Sequence, residues 1–465
     1  MNRRDFIRYG TVASVSLLAC QAQAGLTPVT RRSLPIPPLL TPTVRDGVDH
    51  YDLTIQEGKH TFFEGIKTDT FAIDGSWLGP TLLLRNGRPV SINYTNRLPE
   101  ITTMHGHGMH VPAIMDGTAH QVIQPGTTWS SVFTVKQRAC TNWYHPHAMG
   151  KTAEHVYKGM AGLILIEDDE SRALDLPRRY GIDDIPIVLQ DRQFDRGQID
   201  YSPSMPEIMH GFVGDTFLVN GAINPVFDAE AKELRLRILN GSNSSIYALG
   251  FIGDLPFKQI ATDNAFLEAP VPLTKLVLSP GERAEVIVDL SRHTGQSLEL
   301  YDYYNKKSFM TIRVSQKATA TTTLPTRLTT LEHLDPAKAV RTRRFVYEGR
   351  MMRLMINGKQ MDMGRIDERV PLGDIEIWEI ENTMPMHHNF HIHATHFEPL
   401  DRDGKRTNLD PNERGHKDVV FVPSGSTVRV IVQMTDYTDP GVPYMYHCHF
   451  LEHEDSGMMG QFVTV

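Results

Sequence analysis

The sequence has little cysteine, no strong excess of either charge and no long apolar segment. Three Cys in 465 residues exclude a disulfide scaffold. The 47 basic and 55 acidic side chains leave a net charge of −8. The chain therefore has no excess of Lys and Arg of the kind that binds nucleic acid. The composition also excludes a membrane bundle and disorder. The composition, 40% hydrophobic, is that of an ordinary soluble globular protein, and the length allows about three domains.

Residues 1–24 are typical of an export signal and are set apart from the fold. Arg3 and Arg4 resemble a twin-arginine pattern, and an alanine pair ending at Ala24 offers a cleavage site. The residues up to Cys20 also resemble a lipoprotein cleavage box, so a lipid anchor on Cys20 is the alternative to a soluble mature chain. A general secretory signal is the third interpretation. All three predict export, which we take to be into the periplasm of a bacterium.

Two features recur with a period near 143 residues. An alternating strand ends on Asn96, Asn240 and Asn382, which are 144 and 142 residues apart. Each is followed by a Pro/Gly turn and another alternating strand. Period-2 alternation between Gly, Pro and Asn predicts half-buried antiparallel strands, and helical periodicity is scarce. The pattern therefore predicts an all-β protein of three tandem β-sandwiches.

The repeats set the predicted domain limits. The first domain is placed at 45–170, the second at 180–315 and the third at 344–465. The stretch 316–343 is rich in Thr and contains Pro, which is typical of a linker.

Histidine is abundant and paired. With 21 His in the chain, chance predicts about one H-x-H pair. Four pairs occur, all in the first and third repeats: His105/His107, His145/His147, His391/His393 and His447/His449. One such pair alone is typical of a surface or a satisfied core. Four in two repeats predict a metal cluster, and the middle repeat, which has none, is interpreted as a spacer.

The last pair is split by a cysteine. On a strand, residues two apart share a face, so His447 and His449 point to one side and Cys448 to the other. Cys448 can join His453 and, as a weak axial ligand, Met458. Cys and His with a long Met is the ligand set of a blue-copper electron-transfer site.

His388 supplies the second imidazole of that site. It is offset by an odd number from His391 and His393, so it faces the opposite way. The same alternation therefore separates a mononuclear site from a His cluster. A structural zinc site is the competing interpretation, but zinc takes four ligands in a closed tetrahedron, and this set is far larger.

On these segments the chain resembles a three-domain multicopper oxidase, most of all the bacterial periplasmic copper-efflux oxidases and bacterial laccases. The resemblance implies three cupredoxin-like Greek-key β-sandwiches. It also implies four copper ions, with one type 1, one type 2 and a type 3 pair. By position it assigns the ligands as follows: type 1 to His388, Cys448, His453 and Met458; type 2 to His105 and His391; type 3 to His107, His145, His147, His393, His447 and His449.

The resemblance also implies an activity. It predicts one-electron oxidation of a donor, cuprous ion or a small phenol or metal ion, coupled to four-electron reduction of dioxygen to water, in a role in copper tolerance. Asp116 and Glu454 match positions at which the family has acids that serve the cluster as proton donors or hydrogen-bond partners. The alternative is that both are ordinary acidic residues of surface loops. We expect a monomer.

Three departures from the family pattern stand out. Gly106 replaces a usual Trp, and Asn389 replaces a usual Pro. Neither supplies a ligand atom, so we expect them to affect packing and potential rather than copper binding. No Met occurs between Met310 and Met351, so the Met-rich insert of copper-efflux oxidases is missing.

Met384 and Met386 precede His388 and are candidates for contact with a cuprous substrate. Core packing is the alternative for both.

Two other functions compete with an oxidase. A copper nitrite reductase shares the blue site but predicts two domains and no doubled cluster. A copper-free scaffold protein of the cell-division type shares the fold, acts by binding partners and predicts substituted ligands. In this chain all twelve positions carry a residue that can bind copper, so none of the ligands is substituted.

Overall fold

The structure, a computed structural model, describes residues 26–29, 32–319, 322–350 and 353–465. The predicted export signal, with Arg3, Arg4 and Cys20, lies outside these ranges. β-strands dominate the described residues, as the sequence predicts. Within the same ranges, every helix is too short or too polar to cross a membrane.

The first sandwich pairs two five-stranded sheets. One has the order β1-β5-β10-β9-β7, and the other has the order β2-β3-β6-β8 with β4 added on β3. The strands are β1 (Leu39–Leu40), β2 (Thr43–Arg45), β3 (Val48–His60), β4 (Thr68–Ile73), β5 (Thr81–Arg85), β6 (Pro89–Asn96), β7 (His105–His107), β8 (Thr128–Thr134), β9 (Cys140–His145) and β10 (Gly162–Glu167). A 3-10 turn (Ala113–Met115) and helices α1 (Thr152–Tyr157) and α2 (Asp169–Ala173) complete it.

The second sandwich packs a seven-stranded sheet, β15-β14-β11-β17-β22-β19-β20, with a five-stranded sheet, β16-β24-β23-β18-β21. Its strands are β11 (Asp184–Arg192), β12 (Phe194–Asp195), β13 (Gln198–Ile199), β14 (Thr216–Val219), β15 (Ala222–Ile223), β16 (Val226–Ala231), β17 (Glu233–Asn240), β18 (Tyr247–Phe251), β19 (Phe257–Ala261), β20 (Phe266–Leu273), β21 (Lys275–Leu278), β22 (Arg283–Asp289), β23 (Ser297–Asp302) and β24 (Lys307–Thr319). Strands β12 and β13 form a separate hairpin, and helix α3 (Met205–His210) follows it.

The third sandwich has two five-stranded sheets, β26-β25-β28-β32-β30 and β27-β34-β33-β29-β31. Its strands are β25 (Arg341–Arg350), β26 (Arg353–Ile356), β27 (Glu368–Val370), β28 (Ile375–Asn382), β29 (His388–Ile392), β30 (Phe397–Arg402), β31 (Val419–Val422), β32 (Thr427–Gln433), β33 (Tyr444–His447) and β34 (Met459–Thr464). Three 3-10 turns (Pro336–Lys338, Arg406–Asn408 and Pro411–Glu413) and helix α4 (Leu451–Asp455) accompany them. Strands β24 and β25 both reach into the predicted linker, because its ends alternate as strands do.

The sequence repeat corresponds to one structural unit in each sandwich. Strands β6, β17 and β28 pair antiparallel with β8, β22 and β32, as the alternation predicts. On their other side they pair parallel with β3, β11 and β25, which the sequence does not predict. A chain that crosses to the other sheet and back returns in the same direction, so parallel neighbours follow from the Greek-key path.

The asparagine at the end of each repeat strand holds the following loop in place by hydrogen bonds from its side chain to backbone groups. The Asn382 amide donates to the carbonyls of Met386 (2.9 Å) and Val422 (3.1 Å), while its Oδ1 accepts from the Met384 N–H (3.0 Å). Asn96 and Asn240 make the same set of bonds in their own sandwiches. The recurrent Asn is therefore a structural residue, and in the first and third sandwiches it fixes the loop that leads to a ligand segment.

The first and third sandwiches meet at their helices. Helix α1 packs against α4, and the Asp455 carboxylate accepts from the N–H groups of Thr152 (3.1 Å) and Ala153 (2.9 Å). An acid at a helix N-terminus satisfies donors that have no partner within the helix. This contact joins parts of the chain about 300 residues apart beside the predicted cluster.

Candidate metal centre

Two strand pairs carry the paired histidines to one place. In the first sandwich β7 and β9 set His105 opposite His145. In the third, β29 and β33 set His391 opposite His447. Directly opposite side chains on an antiparallel pair share a face. All eight paired imidazoles are buried, and they converge between the first and third sandwiches, as the sequence predicts.

Three of these imidazoles meet nitrogen to nitrogen. The Nε2 atom of His447 lies 3.2 Å from that of His147 and 3.1 Å from that of His393. Two nitrogens bound to one metal ion at about 2.0 Å are separated by about this distance. His147, His393 and His447 are therefore placed so that they could hold one metal ion.

A second set lies beside the first. The Nδ1 atom of His107 lies 3.3 Å from Nε2 of His145. The ring of His449 is 4.8 Å from that of His107 and 5.3 Å from that of His145. Among the described residues, neither buried nitrogen of His449 has a hydrogen-bond partner, which leaves a lone pair for a metal ion.

His105 and His391 form the third set. Nδ1 of His105 donates to the Asp116 carbonyl (2.7 Å), and Nδ1 of His391 donates to the Asp418 carbonyl (2.8 Å). A carbonyl can only accept, so the proton is on Nδ1 and the lone pair is on Nε2 in each ring. Both Nε2 atoms are buried and have no hydrogen-bond partner within the part of the chain that the structure describes, which fits a pair of ligands.

A separate site lies on the other face of the same strands. Cys448 Sγ is 3.4 Å from His388 Nδ1 and 3.6 Å from His453 Nδ1, and the two nitrogens are 3.2 Å apart. Met458 is fully buried in the same apolar cluster as Cys448, and its carbonyl accepts from the Cys448 N–H (3.2 Å). The alternation of side chains separates Cys448 and His388 from the cluster as predicted.

Burial keeps these ligands in the form that binds a metal. Burial, with the neighbouring imidazoles, holds the pKa of His107, His391 and His447 well below the ordinary value, so these rings are neutral. Burial lowers the pKa of His453 to about 3 and raises that of the Cys448 thiol to about 12. A neutral imidazole is a ligand as it stands, and the thiol becomes one when a metal ion displaces its proton. The donor set therefore fits copper.

Two buried carboxylates face the cluster ligands. Asp116 Oδ2 lies 2.8 Å from His393 Nδ1, and its Oδ1 lies 3.3 Å from His105 Nδ1. Glu454 lies 3.3 Å from His447 Nδ1 and 3.5 Å from His147 Nδ1. Burial and the neighbouring Asp455 raise the pKa of Glu454 well above its ordinary value. Both acids that the sequence singles out lie beside the cluster, and neither is an exposed loop residue.

The two candidate methionines differ in exposure. Met384 is buried in the core of the third sandwich, with its methyl group against Gly349. Met386 is half-buried at the margin of the apolar cluster that contains Cys448. Of the two, only Met386 is accessible to a substrate from outside.

The structure adds a carboxylate that the sequence analysis missed. Asp418 Oδ1 lies 3.0 Å from Nε2 of His107, and its backbone carbonyl holds His391. The residue stands alone after Lys417 with no paired His nearby, so no local spacing marks it. Asp418 comes close to His107 of the first sandwich and His391 of the third only when the chain is folded.

Two segments of the chain match sequence models of the multicopper oxidase family. One model matches residues 54–171 and the other matches residues 323–465. Between them these segments contain all twelve predicted ligands.

Similar proteins cover nearly the whole chain. The multicopper oxidase mco of Staphylococcus haemolyticus (strain JCSC1435) is 38% identical over 420 residues, covering 90% of this chain and 88% of that protein. The cell division protein FtsP of Sodalis glossinidius (strain morsitans) is 37% identical over 483 residues, covering 100% and 98%. A solved structure, the laccase-like multi-copper oxidase CueO from Ochrobactrum sp., described with oxidase activity towards lignin model compounds and lignosulfonate, superposes with a TM-score of 0.87 at 37% identity, covering 93% of this chain and 100% of that one.

Proposed function

The chain belongs to the multicopper oxidase family, and from this premise we propose that it couples one-electron oxidation of a reducing donor to four-electron reduction of dioxygen to water. Its three β-sandwiches are cupredoxin-like domains. One observation carries the proposal. A thiol site and an eight-imidazole cluster, both buried, are joined by the three consecutive residues His447, Cys448 and His449.

We assign the ligand sets to copper types by the resemblance. His388, Cys448, His453 and Met458 would hold the type 1 copper, and His105 and His391 the type 2 copper. The type 3 pair would be held by His147, His393 and His447 on one side and His107, His145 and His449 on the other. When bound, copper supplies the one-electron redox chemistry that no side chain of this set provides.

The protein residues connect and insulate the two centres. His447 and His449 are covalent neighbours of Cys448, so a route of a few bonds leads from the thiolate to two cluster ligands. All three side chains are buried, which excludes bulk water from this route. Asp116 and Glu454 lie against cluster ligands and would supply protons for the formation of water.

The donor that we propose is a cuprous ion, a small phenol or another easily oxidised metal ion. Without the Met-rich insert, organic donors would reach the type 1 site more freely than in relatives that have it, and Met386 offers one soft thioether near His388. Export to the periplasm and a role in copper tolerance are part of the proposal. Steady-state oxygen consumption with cuprous ion, ferrous ion and a phenol, compared side by side, tests it, and no oxygen consumption with any of them would contradict it.

A Met386→Leu variant is expected to oxidise cuprous ion several-fold more slowly and phenols at the wild-type rate, because only the soft cation needs the thioether. Met384→Leu is the matched control, since Met384 is buried and its substitution changes packing alone. Initial rates of oxygen uptake with each donor provide the measurement. Equal losses on both donors would mean that Met386 is a packing residue.

Removal of copper is expected to loosen the contact between the first and third sandwiches. Each of these two sandwiches contributes four of the eight cluster imidazoles, so metal ions bound in the cluster would crosslink the two sandwiches. We expect the melting temperature of the apoprotein to lie about 5–10 °C below that of the copper-loaded protein, with faster proteolysis. Calorimetry and limited proteolysis of the two forms measure the effect, and identical behaviour would refute the coupling.

A copper-free function in cell division is the second candidate, because relatives named cell division protein FtsP match the whole chain. The complete set of twelve ligands favours the oxidase. Metal analysis of the purified protein and its visible spectrum decide between the two. Four copper ions and a blue colour support the oxidase, whereas a colourless protein that takes up no copper supports the scaffold.

A further inference from the structure

The middle sandwich supplies no paired histidines, yet one of its turns touches ligand segments of the other two sandwiches. What we call the 279–283 turn consists of the connection between β21 and β22 together with Arg283, the first residue of β22. We propose that the 279–283 turn positions the copper ligands, with Arg283 and Asn389 as the positioning residues, so that the middle domain is part of the copper centres rather than a spacer. The inference rests on the proposed function, because it concerns ligands of the same copper ions.

Arg283 is the first of the two connections. Its guanidinium is fully buried and binds both oxygens of Asp418, at 2.6 Å each. The same group donates to the Thr141 carbonyl (3.0 Å) and to Asn142 Oδ1 (2.6 Å) on β9 of the first sandwich. One side chain of the second sandwich therefore holds the first and third sandwiches together. Such a planar, bidentate guanidinium–carboxylate pair fixes direction as well as distance.

Asp418 transmits this position to two ligands. Its Oδ1 accepts from Nε2 of His107, and its backbone carbonyl accepts from Nδ1 of His391. His107 is left with Nδ1, which faces His145, and His391 is left with a free Nε2. A carboxylate or carbonyl on the second nitrogen of a ligand imidazole sets its tautomer and ring orientation. Arg283 thus acts through Asp418 on one ligand of each outer sandwich.

Gly108 shows how closely this network is packed. Its φ angle is +83°. A Cβ at this position would lie 2.5 Å from Asp418 Oδ2, 2.6 Å from Arg283 Nη2 and 2.7 Å from Asn142 Oδ1. Any other residue at position 108 would clash with this network, so a glycine is needed there for the Arg283–Asp418 ion pair to reach His107.

Asn389 is the second connection. It is fully buried, and its Nδ2 donates to Ser279 Oγ (3.0 Å) and to the Pro280 carbonyl (2.8 Å) of the turn. Its Oδ1 accepts from the backbone N–H of His449 (2.7 Å). The side chain therefore joins the turn to the backbone between Cys448 and His449. A proline, the residue that the family pattern has here, makes none of these bonds.

Gly281 brings the turn directly onto a ligand ring. A Cβ at Gly281, whose φ angle is +83°, would lie 3.0 Å from His449 Nδ1. The turn thus lies against the ring of His449, and Asn389 binds the backbone N–H of the same residue. Both contacts fall on the segment that joins the type 1 and type 3 ligands.

An Asn389→Ala variant tests the second connection. We expect the copper-loaded variant to show an altered type 1 copper EPR spectrum and at least about tenfold slower reduction of the type 3 pair, since loss of a partner behind a ligand typically costs 10–100-fold. Asn389→Pro is expected to do the same. The control is Asn220→Ala: its buried amide also donates to two carbonyls and accepts one N–H, and none of these three partners is a predicted copper ligand.

The control should lose stability without any change in spectrum or reduction rate. If Asn389→Ala lowers the melting temperature of the apoprotein as Asn220→Ala does, and leaves spectrum and rate at wild-type values, Asn389 is only a packing residue and this connection is refuted.

An Arg283→Lys variant tests the first connection. Lysine keeps the charge but cannot bind both Asp418 oxygens and β9 together. We expect about 10–100-fold weaker copper retention in the type 2 position, seen as loss of the type 2 EPR signal during dialysis against a chelator. Arg343→Lys is the control, because Arg343 makes a similar buried bidentate pair with Glu376 in the third sandwich.

Wild-type copper retention in Arg283→Lys would refute the connection through Arg283. Copper binding by the wild-type protein distinguishes failure of the proposed function from failure of the positioning role. If it binds no copper, the proposed function fails. If it binds four copper ions and every variant behaves as its control does, only the positioning role fails.

Discussion

A Cys448→Ser variant is expected to lose the blue absorption band and to oxidise donors at less than about 1% of the wild-type rate, while the cluster still binds copper. The thiolate is the ligand that gives a type 1 site its colour and its route for electrons. Serine offers a hydroxyl that does not ionise at this position. The cluster imidazoles face away from residue 448, so their copper is expected to remain. The measurements are the visible spectrum, copper content and steady-state oxygen uptake.

Cys140→Ser is the matched control for this prediction. Cys140 is also buried and free, in the core of the first sandwich. Its substitution places a hydroxyl in an apolar core and is expected to cost stability of the order of 1–3 kcal/mol, with colour and rate unchanged. A Cys448→Ser protein that remains blue, or that oxidises donors at a comparable rate, would contradict the assignment of the type 1 site.

The separation of the two ligand sets could be predicted from sequence because it depends on strand geometry alone. Successive side chains of a strand point to opposite faces. His388 and His391 are three residues apart on β29, and the structure places the first beside Cys448 and the second in the cluster. No knowledge of the rest of the chain is needed for this result.

The positioning residues could not be predicted in the same way. Arg283 and Asp418 are 135 residues apart and meet only after all three sandwiches have docked. The Pro280-Gly281 turn is visible in the sequence, but there it indicates only the start of a strand. Asn389 stands out as a departure from proline, and the sequence cannot show that its side chain reaches another domain. The interpretation of the middle repeat as a spacer therefore misses its contacts.

The recurrent asparagines show a similar limit. Their spacing predicts three copies of one unit, and the structure contains three copies. The parallel neighbours of β6, β17 and β28 depend on the path that the chain takes between sheets, which local alternation does not encode. The pattern of a strand thus predicts its faces better than its partners.

The second large effect is expected at the acids beside the cluster. Asp116→Asn and Glu454→Gln should keep the blue colour and slow reoxidation by dioxygen by about 10²-fold, the lower end of what a positioned proton donor contributes. Reduction of dioxygen to water consumes protons, and burial keeps cluster rings such as His107, His391 and His447 neutral, so these rings are not the acids that supply them. Asp116 contacts His393 and Glu454 contacts His447, so each carboxyl is one ring away from the reacting centre. Stopped-flow reoxidation of the reduced protein provides the rate.

Glu452→Gln separates proton supply from a general loss of buried charge. Glu452 is as buried as Glu454 and lies two residues before it, but its carboxylate binds Asn243 (2.7 Å) and Ser244 (2.6 Å) of the middle sandwich. A glutamine there keeps part of this bonding and removes no proton donor from the cluster. We therefore expect wild-type reoxidation in Glu452→Gln. If all three variants reoxidise at the wild-type rate, protons reach the cluster by another path, and Asp116 and Glu454 act only by orienting the histidines they contact.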